Sequence, residues 1–166
     1  MIRIGIDPGQ SGAITTMNMV DRKREVMIYD MPLLPEREID AKCLFSIFLA
    51  LKDEDEDLFI VIEKAQSMPG QGCVAMFNYG GGYKKIIAVF EILELSFEEV
   101  RPQKWRKEFS LPSGKNEKGE KIDKNAKKQA AAKIALQLFP KMKNEFYTPK
   151  GKLLDGRVES VLIAEY

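Results

Sequence analysis

The stretch LFIVIE, residues 58–63, constrains the fold more than any other part of the chain. Five consecutive apolar residues leave no polar face, so the strand they form is one buried on both sides. The run ends on Glu63, an unusual place for an ionisable group, because ionised Glu is seldom set beside a core. A second apolar strand, MIRIGID, alternates in hydropathy and also ends on an acid, Asp7, which runs into the Pro-Gly of DPGQSGA. Asp before Pro-Gly commonly shapes a turn. If the two strands pair in parallel in mid-sheet, however, Asp7 and Glu63 reach the same sheet edge. Ligand sites of open α/β sheets collect at that edge.

The remaining pattern supplies the rest of a mixed sheet. GAITTMNMV and EVMIYDMP, separated by the polar DRKR turn, predict an antiparallel meander with the first strand. IDAKCLFSIFLALKD carries apolar residues at helical spacing, with Asp40 as a cap. The acidic DEDED reads as a solvated loop and KAQSMPGQG as a Pro/Gly loop. CVAMFNYGGGYKKIIAVFEILEL has helical spacing on both sides of Gly80, Gly81 and Gly82. Each glycine costs a helix about 1 kcal/mol, so the sequence allows either a long helix held by close packing or a break. FEEV predicts a fifth strand and PQKWRKEF a short helix with Pro102 in its first turn. SLPSGKNEKGEKID is a polar loop. KNAKKQAAAKIALQLFP is a helix capped by Asp123, KMKNEFYTPKGK a loop, and LLDGRVESVLIAEY a final helix. The order βββαβαβαα, without repeats, indicates one α/β domain over residues 1–166.

Composition narrows the chemistry. There is no histidine, which excludes Ser-His and Cys-His catalysis and His-ligated zinc. Cys43 and Cys73 cannot make a Cys-only zinc site and read as reduced thiols of a cytoplasmic protein. No run approaches the ~18 apolar residues of a membrane span. The net charge is +1, but residues 1–100 hold 10 Lys+Arg against 17 Asp+Glu, while residues 101–166 hold 16 against 8. A basic second half suits a polyanionic partner as well as ordinary solvated helix faces.

Asp155 and Glu159 are four apart and share one helix face. If that helix crosses the edge holding Asp7 and Glu63, four acids meet and repel one another. A divalent cation removes the conflict. Mg²⁺ prefers oxygen ligands and keeps waters, leaving room for a phosphate. Two such ions can activate a water and stabilise a departing 3′ oxygen in an in-line phosphodiester attack.

GIDPGQSGA, FIVIEKAQSMPGQG, FNYGGGYKKI and LLDGRVESVLIAEY together resemble the RuvC-type Holliday junction resolvases, most closely those of bacteriophages. The resemblance runs over nearly the whole chain with its motifs in order. It implies an RNase H-like fold, a five-stranded mixed β-sheet flanked by α-helices. It also implies four acids binding Mg²⁺ (Mn²⁺ as a substitute, two ions per site) and a homodimer that cuts four-way DNA. By position Asp7 and Glu63 match the acids of the first and fourth strands, and Asp155 and Glu159 the pair on the last helix. Bacterial relatives space that pair three apart and use Asp twice. The glycine triplet falls on the helix through which the family dimerises. Lys104 matches a lysine near the family's active site and Lys124 a second; both are expected to hold phosphates. The loop after Glu63 lacks the aromatic that bacterial members carry there, Met68 being its only large apolar side chain. That departure points to structure-selective cutting of several branched DNAs.

Three rivals remain at this stage. DPGQSGA also looks like the phosphate loop of sugar kinases and actin-like ATPases, which need two such domains. A ribonuclease H acting on RNA–DNA hybrids shares the acids. A non-catalytic module that binds DNA junctions would lose one or more of them, yet all four positions are carboxylates.

Overall fold

The structure, a computed structural model, describes residues 1–20, 23–55, 57–66, 72–112 and 122–166. The loop expectations for 64–72, Met68 included, and for 110–123 fall largely on residues outside these ranges, as do the first two residues of the DRKR turn.

Strands β1 (Ile2–Ile6), β2 (Ala13–Val20) and β3 (Lys23–Asp30) form the antiparallel meander. On its other side β1 pairs in parallel with β4 (Leu58–Glu63), and β4 in turn with β5 (Phe97–Val100). The order β3-β2-β1-β4-β5 makes a five-stranded mixed sheet. Ile60, Val61 and Ile62 of LFIVIE are buried on both faces, while Phe59 near its start is 41% exposed, and the alternation of side chains shows how. Ile60 and Ile62 join Ile2, Ile4 and Ile6 beneath α1 (Ala41–Glu54) and α2 (Cys73–Ile92), packing on Leu44, Phe48, Ile86 and Phe90. Val61 points the other way. With Met17 and Val100 it packs beneath α3 (Pro102–Glu108), α4 (Lys124–Leu138) and α6 (Asp155–Glu165), against Trp105, Ala132, Ala135, Val158 and Val161.

The end signals read from sequence act as expected. Asp40 accepts from the Cys43 amide at 3.0 Å, and Asp123 from the Asn125 and Ala126 amides at 2.7 and 3.1 Å. Ile39, apolar and in phase with α1, lies outside that helix and bridges to Leu33 instead. Residues 141–146, expected as loop, fall in a 3-10 turn (Pro140–Met142) and α5 (Lys143–Phe146). One helical turn is too short to show a period, and it is anchored by fully buried Phe146.

The glycine triplet does not break α2. Its C-terminal half is held by buried Tyr83, Ile86, Ile87, Val89 and Phe90. Gly82 lies so close to Ile39 that a Cβ would come within 2.9 Å of its Cδ1. Gly80 and Gly81 face open space, and nearby Phe77 is 81% exposed.

Two other glycines set the last helix. A Cβ on Gly5, in β1, would collide with the α6 backbone at Ser160 O and Ala164 N, and one on Gly156 with Ser11 O and Gly12 Cα. Helix α6 therefore lies directly on β1 and on the turn that follows it. A buried Thr15–Ser160 hydroxyl pair at 2.7 Å fixes the contact.

Candidate active site

Register and parity bring the first two acids together. Ile6 pairs with Ile62 across the parallel β1–β4 ladder, so the next positions, Asp7 and Glu63, stand side by side on adjacent strands. Both have the parity of Gly5 and Val61, so both point to the sheet face that α6 covers. Because Gly5 lets α6 approach to backbone contact, the first two turns of that helix run over the same edge. Asp155 begins α6 and Glu159 follows one turn later. The four acids sense one another electrostatically. Burial first, then the charges of Glu159 and Glu63, push Asp7 up to about 8, and only the Gly9 amide opposes them. Burial likewise raises Glu63 to about 7, against the Trp105 indole N–H, with Glu159 adding repulsion. Glu159 is raised mainly by burial, against the opposing charge of Arg106.

Each acid already has a partner. Asp7 accepts from the Gly9 amide at 3.3 Å and Glu63 from Trp105 Nε1 at 2.7 Å. Glu159 is ion-paired to Arg106, and Asp155 to Lys128 at 2.6 Å. Among the described residues no three carboxylates are gathered tightly enough to hold one ion with the side chains as they stand. The donor set is nonetheless all oxygen, crowded and half-buried, which is the chemistry of a hard divalent cation. For all four acids to share one ion, Glu159 and Asp155 would have to turn from Arg106 and Lys128.

The lysines singled out from sequence lie elsewhere. Lys104 pairs with Glu98 at 3.5 Å and sits 5.5 Å above the Tyr166 ring. Lys124 is exposed at the first turn of α4. The cations that touch the acids are Arg106, two residues along α3, and Lys128, one turn along α4. Sequence reasoning missed them and Trp105. Trp105 is completely buried, and Arg106 stacks 4.8 Å from its ring. A lone tryptophan between basic residues was the available signal: a buried indole seeks a partner for its N–H.

A mixed five-stranded sheet whose two central parallel strands end on acids, overlaid by an acid-bearing final helix, defines an α/β fold of the RuvC-like, RNase H-like class. The solved structures it is similar to include that of Thermus thermophilus RuvC, with a TM-score of 0.59, 13% identity, and coverage of 98% of this chain and 92% of that one. Another is T. thermophilus RuvC in complex with Holliday junction substrate, with a TM-score of 0.59, 10% identity, and coverage of 99% and 90%. No protein-family model and no curated protein matches the chain. Among the described residues no helix is long and apolar enough to cross a membrane, and both cysteines are free and exposed.

Proposed function

We propose that the chain is a Mg²⁺-dependent, structure-selective endonuclease of the bacteriophage-like branch that resolves Holliday junctions and other branched DNA. It works as a homodimer of one nuclease domain, residues 1–166. The observation that carries this reading is the meeting of Asp7 and Glu63 with Asp155 and Glu159 at one sheet edge, in a fold shared over nearly its whole length with a protein solved on a Holliday junction.

In this reading Asp7, Glu63, Asp155 and Glu159 hold the cation, which when bound supplies an activated water and charge to stabilise the departing 3′ oxygen. Until then a proton on Asp7 and the cations of Arg106 and Lys128 offset the acids' repulsion. Trp105 fixes the Glu63 carboxylate by its indole N–H, leaving the second oxygen free. Arg106 and Lys128, once released, are placed to take the scissile phosphate, and Lys104 and Lys124 the flanking ones. Exposed Phe77 beside Gly80 and Gly81 gives α2 an apolar face suited to a second copy.

Pure protein incubated with labelled four-way junctions and RNA–DNA hybrids, with and without Mg²⁺, tests the proposal. Mg²⁺-dependent junction cleavage is the expected result. Cutting of the hybrid alone overturns it in favour of a ribonuclease H, and binding without cutting in favour of a non-catalytic module.

A further inference from the structure

A cleft of about 720 Å³ opens beside the acids, between the turn after β1, the loop after β3 and the N-terminal half of α2. Pro8, Gln10, Ser11, Arg37, Asn78 and Tyr79 line it. Tyr79 is half-buried and close enough to Glu63, Asp7 and Glu159 for all three charges to act on it. A phenol is a neutral O–H donor at neutral pH. Among the described residues that hydroxyl has no hydrogen-bond partner, and since none of their buried side-chain polar atoms is left unsatisfied, it is accessible to an incoming group. Arg37 is the only charged side chain lining the cleft among the described residues. It occupies a left-handed backbone position (φ 63°) that glycine or asparagine fills with less strain. Its guanidinium also lacks a carboxylate partner among the described residues.

We infer that this cleft is the subsite for the DNA strand next to the cut. Tyr79 donates its hydroxyl hydrogen bond to the scissile phosphate, and Arg37 takes the neighbouring phosphate. The inference rests on the nuclease reading above and adds two substrate-contacting residues that lie outside the acid cluster. The cleft suits a nucleotide strand: one cation for one phosphate, with neutral polar groups (Gln10, Ser11, Asn78) and apolar Ile39, Val74 and Ala75 in the same lining as the phenol. An acidic lining would repel the backbone. A uniformly basic one would hold it without register.

The test uses the full chain, four-way junctions and two substitutions. Tyr79→Phe keeps the ring and removes only an unpartnered hydroxyl, so its melting temperature stays at the wild-type value. Single-turnover cleavage in Mg²⁺ falls about 10- to 100-fold, the loss of one hydrogen bond to a charged group, while junction affinity changes less than about twofold. Arg37→Ala weakens junction binding and reduces the slope of log affinity against log salt by about 1, the mark of one lost phosphate contact. A methylphosphonate at the phosphate beside the cut reproduces that loss in the wild type and abolishes it in the variant. A wild-type cleavage rate for Tyr79→Phe, or an unchanged salt slope for Arg37→Ala, overturns the inference. Wild-type protein that cuts no branched DNA counts instead against the reading beneath it. The salt slope, which needs binding but no cutting, still judges Arg37.

Discussion

Replacing Asp7 by asparagine should abolish cutting and at the same time make the cation-free protein more stable. Asp7 has an ordinary pKa of 3.8 and sits at about 8 in the folded chain, chiefly because it is buried and secondly because Glu159 and Glu63 repel it. Between those values the folded state keeps a proton that the unfolded state has lost. Stability therefore falls as pH rises through that window and levels off above about 8. At about 1.4 kcal/mol per pH unit, the cost of Asp7 is about 2 kcal/mol at pH 5 and about 4 kcal/mol at pH 7. Asparagine never ionises, and its amide oxygen can still accept from the Gly9 amide. In chelator Asp7→Asn should thus melt about 10 °C above wild type at pH 7 and about half that above it at pH 5. Mg²⁺ should narrow the gap, since a cation at a hundred times its dissociation constant stabilises the wild type alone by about 2.7 kcal/mol. Urea or thermal melts at pH 5, 7 and 9, with chelator and with Mg²⁺, measure all of this. A variant no more stable than wild type in chelator, or a gap that ignores pH, refutes the claim that Asp7 is a buried carboxyl crowded by its neighbours.

The remaining predictions concern binding, pH and packing. Asp7→Asn should bind four-way junctions with near wild-type affinity while cutting none, as gel shift and cleavage on the same sample will tell. Protons compete with Mg²⁺ for Asp7 and Glu63, so cleavage at subsaturating Mg²⁺ should rise with pH from 6 and flatten near 8; a flat profile removes these acids from cation binding. Arg106→Gln leaves Glu159 buried without its cation, so stability in chelator should drop by about 3 kcal/mol and junction cleavage by more than tenfold, whereas an unaffected rate would reduce Arg106 to a surface charge. Gly5→Ala drives a methyl into the α6 backbone and should cost about 3 kcal/mol or more, with loss of cutting as Asp155 and Glu159 shift. Phe77→Asp should leave the chain monomeric in analytical ultracentrifugation if the exposed face of α2 is the dimer contact.

Sequence carried the sheet and the acids further than the cations. The strand assignments rested on apolar runs and alternation, which report burial directly, and LFIVIE led to a central position because no other place buries both of its faces. Asp7 and Glu63 were legible as strand-ending acids, but their meeting rested on supposing a parallel pairing, which the β1–β4 ladder supplies. The unbroken α2 was not legible, since propensity sees three glycines and cannot see that Gly82 lets Ile39 come close. Nor was the choice among the lysines and arginines of the second half. Lys104, Trp105, Arg106 and Lys107 are consecutive, and their order says nothing of which face of a seven-residue helix meets the sheet. That face is set by Trp105. Its burial turns Arg106 onto Glu159 and leaves Lys104 beside Glu98 and Tyr166.

If the four acids hold a cation as proposed, partners now engaged with each other must part first. Asp155 and Glu159 cannot face a cation while Lys128 and Arg106 hold them, and those two basic groups cannot serve a phosphate while the acids hold them. One event would release both: a divalent charge held by the carboxylates would outcompete a monovalent ion pair at each of them, and a phosphate would supply the freed Arg106 and Lys128 with a new anion. Cation and DNA should therefore bind with positive coupling, each lowering the dissociation constant of the other by the same factor. Measuring Mn²⁺ affinity with and without an uncleavable junction, in wild type and in Lys128→Ala, separates the two contributions. Coupling that is present in the wild type and weaker in the variant follows from the exchange of partners. Coupling of equal size in both means that Lys128 stays on Asp155 throughout, and that the ion pairs serve only to hold the last helix in place.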